Sequence, residues 1–133
     1  MSWSKKTYVI SSMDPRNNQY AMFVGRWQPL HKGHQELFQQ ALDKGKNLLI
    51  CIRDIAPDDR NPFTAEQVKT TIENHYAILV EQNIVKVMII PDICSIEFGR
   101  GVGYDIIEHI PPTEIGEISG TKVREQLKKD GKL

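Results

Sequence analysis

Two histidines, His31 and His34, flank Lys32 and Gly33 in the stretch FVGRWQPLHKGH, which runs from Phe23 to His34. On the first turn of a helix that spacing puts both imidazoles on one face. Gly33 carries no Cβ and lets a ligand or another backbone come close. Imidazole N–H donors beside the free backbone N–H groups of a helix start make a site for an anion. Arg26 and Lys32 add positive charge. Such a group suits a phosphate whose negative charge grows in a transition state. The same pair could hold a metal, but no carboxylate or cysteine nearby completes a tight ligand set, and no metal site is assigned. It could also be a coincidence of the surface, against which its place just after an apolar run weighs. An imidazole at such a loop-to-helix junction is expected to contribute little packing.

Three further stretches carry candidate chemistry. In ISGTKVREQL (Ile118 to Leu127), Ser119 and Thr121 can cap a helix start and Gly120 permits a tight turn. Lys122 and Arg124 then project near that terminus, which makes a second anion cradle. A capped terminal helix with a solvated basic face reads equally well. In DDRNPFTAEQ (Asp58 to Gln67), Arg60 follows the second apolar run, and Arg53 ends the run itself. An ordinary loop before a capped helix is the alternative there. FGRGVGY (Phe98 to Tyr104) has three glycines and Arg100 without the G-x-G-x-x-G spacing. It offers a backbone edge that a purine ring can approach.

The elements that must position these residues follow from periodicity. YAMFVG (Tyr20 to Gly25) is a continuous apolar run, the pattern of a strand buried on both faces. From Gly33 onward, Leu37, Phe38, Ala41 and Leu42 share one helical face, and Gly45 suits the helix C-terminus. NLLICIRD (Asn47 to Asp54) is a second buried strand. Thr64 and Gln67 form a capping box. Val68, Ile72, Tyr76, Leu79 and Val80 then predict one helix of about four turns. VKVMII (Val85 to Ile90) is a third strand, stopped by Pro91. SIEF is read as a fourth strand, and Tyr104 to Ile110 as a short helix or helical turn. Val123 and Leu127, one turn apart, mark a last helix. Residues 1–19 form an extension that either leads in flexibly or adds an edge strand through TYVI. Residues 20–133 are then one domain. Strand, helix, strand, helix, strand is the signature of an α/β fold, here a Rossmann-like, doubly wound parallel sheet. Ligands bind such sheets at the carboxyl ends of the strands. The stretch with the two histidines is the first strand-to-helix loop, so it falls there.

Composition narrows the function classes. The chain has 133 residues, 40% hydrophobic, with 17 Lys and Arg against 17 Asp and Glu. A net charge of zero leaves no broad basic field for nucleic acid, while a local cation cluster can still hold a small anion. Cys51 and Cys94 sit in or beside apolar runs and read as buried, reduced thiols. No C-x-x-C suggests zinc or redox chemistry. The first residues lack the apolar core of a signal peptide, and no stretch nears the ~18 apolar residues of a membrane span. The expectation is a soluble, cytoplasmic protein with small-molecule substrates and no membrane partner. A short parallel sheet with a spare N-terminal strand leaves room for a homo-oligomer.

GRWQPLHKGH resembles the H-x-G-H motif of the nucleotidylyltransferase superfamily, and ISGTKVRE resembles its second signature, usually I-S-[ST]-T-x-x-R. The resemblance covers about residues 20 to 130. With NPFTAEQ, the first motif is especially similar to the archaeal-type nicotinamide-mononucleotide adenylyltransferases; ISGTKVR also resembles the ATP sulfurylase branch. The resemblance implies that a nucleoside triphosphate binds with Mg²⁺, that an acceptor oxyanion attacks its α-phosphate, and that pyrophosphate leaves. His31 and His34 would contact the triphosphate, with Arg124 and Lys122 completing the catalytic set. Gly25, Arg26, Gly33, Arg100, Ser119, Gly120 and Thr121 would hold the nucleotide. Trp27, Arg53 and Arg60 are the candidates for the acceptor. The chain departs from the family after its third strand, where no match to an SGN-type motif occurs and EFGRGVGY stands instead. ATP is favoured, and cytidylyltransferases using CTP share both signatures. A non-catalytic nucleotide-binding module, or an interaction domain of a larger bifunctional system, are the other functions this fold could serve.

Overall fold

The computed structural model describes residues 19–99, 103, 105–109 and 120–131, the first three residues of the last segment by their backbone alone. Among the described residues three strands form one parallel sheet in the order β1-β2-β3: β1 Tyr20–Gly25, β2 Asn47–Asp54 and β3 Val85–Pro91. Helix α1 (Lys32–Asp43) joins the first two strands, and α2 (Ala65–His75) with α3 (Ala77–Glu81) joins the next two. Helix α4 (Gly120–Lys129) comes last. The architecture is the expected Rossmann-like α/β type.

Register explains which residues are buried. Tyr20 lies beside Asn47 and Leu48 beside Val85, so neighbouring strands present matched faces. One face carries Ala21 and Phe23, then Leu48, Ile50 and Ile52, then Val85, Val87 and Ile89. Consecutive right-handed crossovers put α1 and α2 over this one face. The three β2 residues are fully buried there with Phe38 and Leu42 of α1, Ile72 of α2 and Leu79 of α3. Each such side chain contributes about 1.5–3 kcal/mol of transfer free energy. On the opposite face Met22 and Met88 are exposed, while Cys51, between Val24 and Met88, is buried.

Parallel strands send every strand-to-helix connection to one edge of the sheet and every helix-to-strand connection to the other. The two return connections are tight. Gly45 follows α1 with φ 79 and donates its N–H to the Leu42 carbonyl at 2.9 Å, as a C-terminal glycine does. Asn83 takes φ 61 before β3, and its carbonyl accepts the Tyr20 hydroxyl at 2.9 Å.

Several expectations are corrected. The helix expected to run from Thr64 to Val80 breaks at Tyr76, whose backbone (φ −107, ψ 30) leaves helical geometry. The break falls where the bulkiest side chain of the stretch enters the core, edge-on to Phe38. Ser95–Phe98 is not a strand. Ile96 and Phe98 are exposed, so their alternation has no core to face, and Ser95 turns locally to the Glu97 carboxylate. Asp105–His109 is not helical. What docks there is one ring: His109 stacks on Phe23 and its Nδ1 sits 2.8 Å from the Gln40 amide oxygen. Cys51 is buried as expected, whereas Cys94 is exposed, because the chain has left the sheet beyond Pro91. The expected edge strand in residues 1–18 and most of FGRGVGY lie outside the described residues. No helix among the described residues is long and apolar enough to cross a membrane.

Candidate active site

The two histidines build the start of α1 themselves. His31 is the N-cap, in extended conformation, and its Nδ1 accepts the Gly33 N–H at 3.0 Å. Three residues on, the His34 Nδ1 accepts the His31 N–H at 3.3 Å. This is a capping box made from imidazoles. Helix α2 begins with the usual version: the Thr64 hydroxyl accepts the Gln67 N–H, and the Gln67 side chain accepts the Thr64 N–H. Both helices therefore start, capped, at the edge where the strands end.

The imidazole box decides the tautomers. Each Nδ1 accepts a backbone hydrogen bond, so each neutral ring carries its proton on Nε2. The rings stack with centroids 3.7 Å apart, and His34 stands edge-on to Trp27 at 4.9 Å. Burial, with His31 beside it, pushes the His34 pKa down to about 3. Burial and then the Arg124 charge lower that of His31. At neutral pH the pair is two uncharged N–H donors held in one orientation. The expectation that these imidazoles pack little is overturned, since they stack on each other, abut Trp27 and cap the helix.

This protonation has a consequence for stability. Above pH 6.5 His34 is neutral in both folded and unfolded chains, and its contribution is complete. Below that value the unfolded chain takes up a proton that the folded protein refuses until about pH 3. Stability is thus lost as pH falls, by about 2 kcal/mol at pH 5 from this residue alone. His31 and His109 shift in the same direction. Urea midpoints at pH 7.5 and pH 5 measure the loss, and His34→Gln flattens the profile.

Trp27 forms the floor of the site. It is 7% exposed, takes φ 51, and donates its indole N–H to the Cys51 carbonyl at 3.0 Å. A non-glycine residue held in the left-handed region is strained, and the buried ring and its hydrogen bond hold it there. Gly25 makes room for the ring: a Cβ at that position would stand 2.9 Å from two indole carbons. Gly25→Ala is therefore expected to cost about 1–3 kcal/mol of stability through overpacking, read as a lower urea midpoint.

A cleft of about 880 Å³ opens above this floor. The structure brings to it Gly25, Arg26, Trp27 and His34 from the first loop and helix, Arg53 and Arg60 from the second strand and loop, and Arg124 from α4. Gly33 is buried in the first turn of α1. Arg124 donates to the Gln28 carbonyl at 2.6 Å, which ties the second motif to the first. Burial, then Arg26, then Arg60 hold the Arg124 pKa below its ordinary value, with Asp58 opposing them. Arg53 is engaged with Asp92, its Nη2 lying 2.6 Å from the carboxylate. Gly120 opens α4, while Arg100 and Ser119 lie outside the described residues. The side chains of Thr121 and Lys122 lie outside the described residues too. Among the described residues no three His, Cys, Asp or Glu side chains group to hold a metal ion.

Sequence reasoning missed two residues. Gln28 is 5% exposed, and its amide makes two hydrogen bonds to the Phe63 backbone. Asn61 is 3% exposed and is held by the Asp58 carboxylate, which also accepts the Arg60 N–H. A polar residue between Trp27 and Pro29, amid otherwise apolar or cationic neighbours, was the available signal for Gln28.

Residues 22–74, from β1 into α2, match the family model described as Cytidylyltransferase-like. A nicotinamide-nucleotide adenylyltransferase of Thermoplasma acidophilum is 31% identical over 80 residues, 52% of this chain and 45% of that one. A nicotinamide/nicotinic acid mononucleotide adenylyltransferase of Acinetobacter baylyi is 36% identical over 50 residues, 36% of this chain and 27% of that one. Among solved structures, a bifunctional NMN adenylyltransferase/ADP ribose pyrophosphatase of Francisella tularensis, complexed with AMP and a manganese ion, superposes with a TM-score of 0.48. It is 32% identical, over 56% of this chain and 23% of that one. The chain spans less than half the length of these curated relatives. Over these segments it is similar to members of the nucleotidylyltransferase superfamily. Within that superfamily it is similar to the archaeal-type nicotinamide-mononucleotide adenylyltransferases.

Proposed function

We propose that this protein transfers AMP from ATP to a phosphate-bearing or similar oxyanion acceptor. An acceptor oxygen bonds to the α-phosphorus, the bond from that phosphorus to the bridging oxygen breaks, and pyrophosphate leaves with the electron pair. The observation that carries this reading is the imidazole capping box. It holds two neutral Nε2–H donors, one of them lining a cleft shared with Arg26, Arg60 and Arg124. Among the described residues no nucleophile and base are paired in the cleft, which suits direct transfer by positioning and charge stabilisation. His31 and His34 donate to oxygens of the phosphate under attack. The backbone start of α4, with Ser119 to Lys122, and Arg124 hold the distal phosphates. Mg²⁺ enters as part of the nucleotide substrate. Arg53, already paired with Asp92, serves the acceptor side, over the Trp27 floor. Arg60 shares the triphosphate with Arg124, because both line the same cleft.

The test is pyrophosphate release with ATP or CTP, with and without Mg²⁺, and a panel of acceptors: NMN, sulfate, phosphopantetheine, glycerol 3-phosphate and phosphocholine. The Cytidylyltransferase-like match is the reason for including CTP. Release with one pair names both substrates. Silence throughout, with MgATP still bound, replaces the transferase by a nucleotide-binding module.

A further inference from the structure

Three segments meet at the cleft, and each brings an arginine: Arg26 from the first loop, Arg60 from the second and Arg124 from α4. Like charges at close quarters repel. Without an anion present, something must oppose that repulsion. Asp58 offsets part of it at Arg124, and the carboxylates of Asp59 and Glu125 line the same cleft. Arg53 is tied to Asp92 at the far side of β2. Asp58 closes the turn that carries Arg60, but through Arg60 and Asn61 of its own loop.

Gln28 joins separate segments. Its Nε2–H donates to the Phe63 carbonyl at 2.9 Å, and its Oε1 accepts the Phe63 N–H at 3.0 Å. A side-chain amide thus pairs with a backbone amide 35 residues away, as one rung of a ladder would. Its own carbonyl accepts Arg124 at 2.6 Å. The residue is nearly buried, so the amide bonds are shielded from competing water. Phe63 lies three residues beyond Arg60, and the Asp58–Asn61 turn leaves the intervening chain little freedom.

We infer that Gln28 is a positioning residue, which holds Arg60 beside Arg124 so that both guanidiniums act on one polyanionic ligand. Gln28 lines the same cleft, but its side-chain amide is engaged with the Phe63 backbone. This rests on the proposed nucleotide site and adds a residue to it. The lowering that Arg26 and then Arg60 add to burial at Arg124 is what such enforced proximity produces.

The experiment is calorimetric titration with MgATP of four proteins: the unaltered chain, Gln28→Met, Arg60→Ala and the double variant. Met keeps the length of Gln and removes both hydrogen bonds. The expected result is a Kd about tenfold higher for Gln28→Met in the unaltered background and less than twofold higher in the Arg60→Ala background. AMP, which lacks the distal phosphates, is bound about equally by all four. Equal penalties in both backgrounds, or an equal loss for AMP, would make Gln28 a merely structural residue and overturn the inference. Urea midpoints check folding. If Gln28→Met does not fold, Gln28→Glu replaces it; that side chain keeps the acceptor for the Phe63 N–H and loses the donor to the Phe63 carbonyl. The same dependence on Arg60 is expected of it, and its absence is equally fatal. Should the unaltered chain bind neither MgATP nor MgCTP, the nucleotide site itself is wrong and the inference falls with it.

Discussion

Replacing His31 by Thr and His34 by Gln together is expected to leave a folded protein that releases pyrophosphate about 10³-fold more slowly. The exchange transplants the capping box of α2 onto α1. Thr and Gln make a reciprocal capping pair of hydrogen bonds at Thr64 and Gln67. Helix α1 therefore keeps its N-terminal cap, which is worth about 1 kcal/mol. What disappears is the pair of Nε2–H donors. Removing one donor aimed at developing charge typically costs about 10²–10³ in rate, and two that act on one phosphate lose at least as much together. Alanine at both positions would confound the result, because it uncaps the helix and empties the space beside Trp27. The measurement is kcat for pyrophosphate release beside a urea midpoint. A capped, stable and fully active double variant would remove the histidines from the chemistry.

The second large effect is expected from Arg124→Ala. Its guanidinium is anchored to the Gln28 carbonyl and faces the cleft with Arg26 and Arg60. A hydrogen bond from a charged donor contributes about 1.5–3 kcal/mol. Loss of that group should raise the Kd for MgATP about 10²-fold, since about 1.4 kcal/mol is a factor of ten. Binding of AMP should change less than about threefold, because Arg124 is assigned to the distal phosphates. Arg124→Lys keeps the charge without the planar fork and should fall between. Titrations with both nucleotides decide it. Equal losses for ATP and AMP would move Arg124 to the α-phosphate.

The sheet was legible because its strands are continuous apolar runs bounded by Gly, Asn and Pro. Tyr20–Gly25 and Asn47–Asp54 carry no competing pattern. The first two helices were legible from their apolar faces and, for α2, from the Thr64 and Gln67 pair. Ser95–Phe98 and Asp105–His109 misled for a common reason: a short apolar pattern reads as structure only if a core is present for it to face, and Ile96, Phe98, Ile106 and Ile107 are exposed. Tyr76 continued the helical spacing of Ile72, so its ring gave no sign that the backbone turns there. At the site, the histidines were recognisable as anion donors, but not as caps. Rules for helix starts look for Ser, Thr, Asp or Asn followed by Glu or Gln. His31 and His34 have the same spacing as Thr64 and Gln67, and an imidazole Nδ1 accepts as a carboxamide oxygen does. Gln28 stood out only as a polar residue among apolar and cationic neighbours; its partner is a backbone amide, which leaves no trace in residue types.

The tight returns at Gly45 and Asn83 sit at the edge of the sheet away from the chemistry. A side chain added at Gly45 would meet nothing within 4 Å, although its φ favours glycine. Loops in such places accept insertions at small entropic cost, since each doubling of length adds only about 0.6 kcal/mol. This end of the protein is therefore the place to graft a label, a tether or a second folded module, leaving the substrate end untouched.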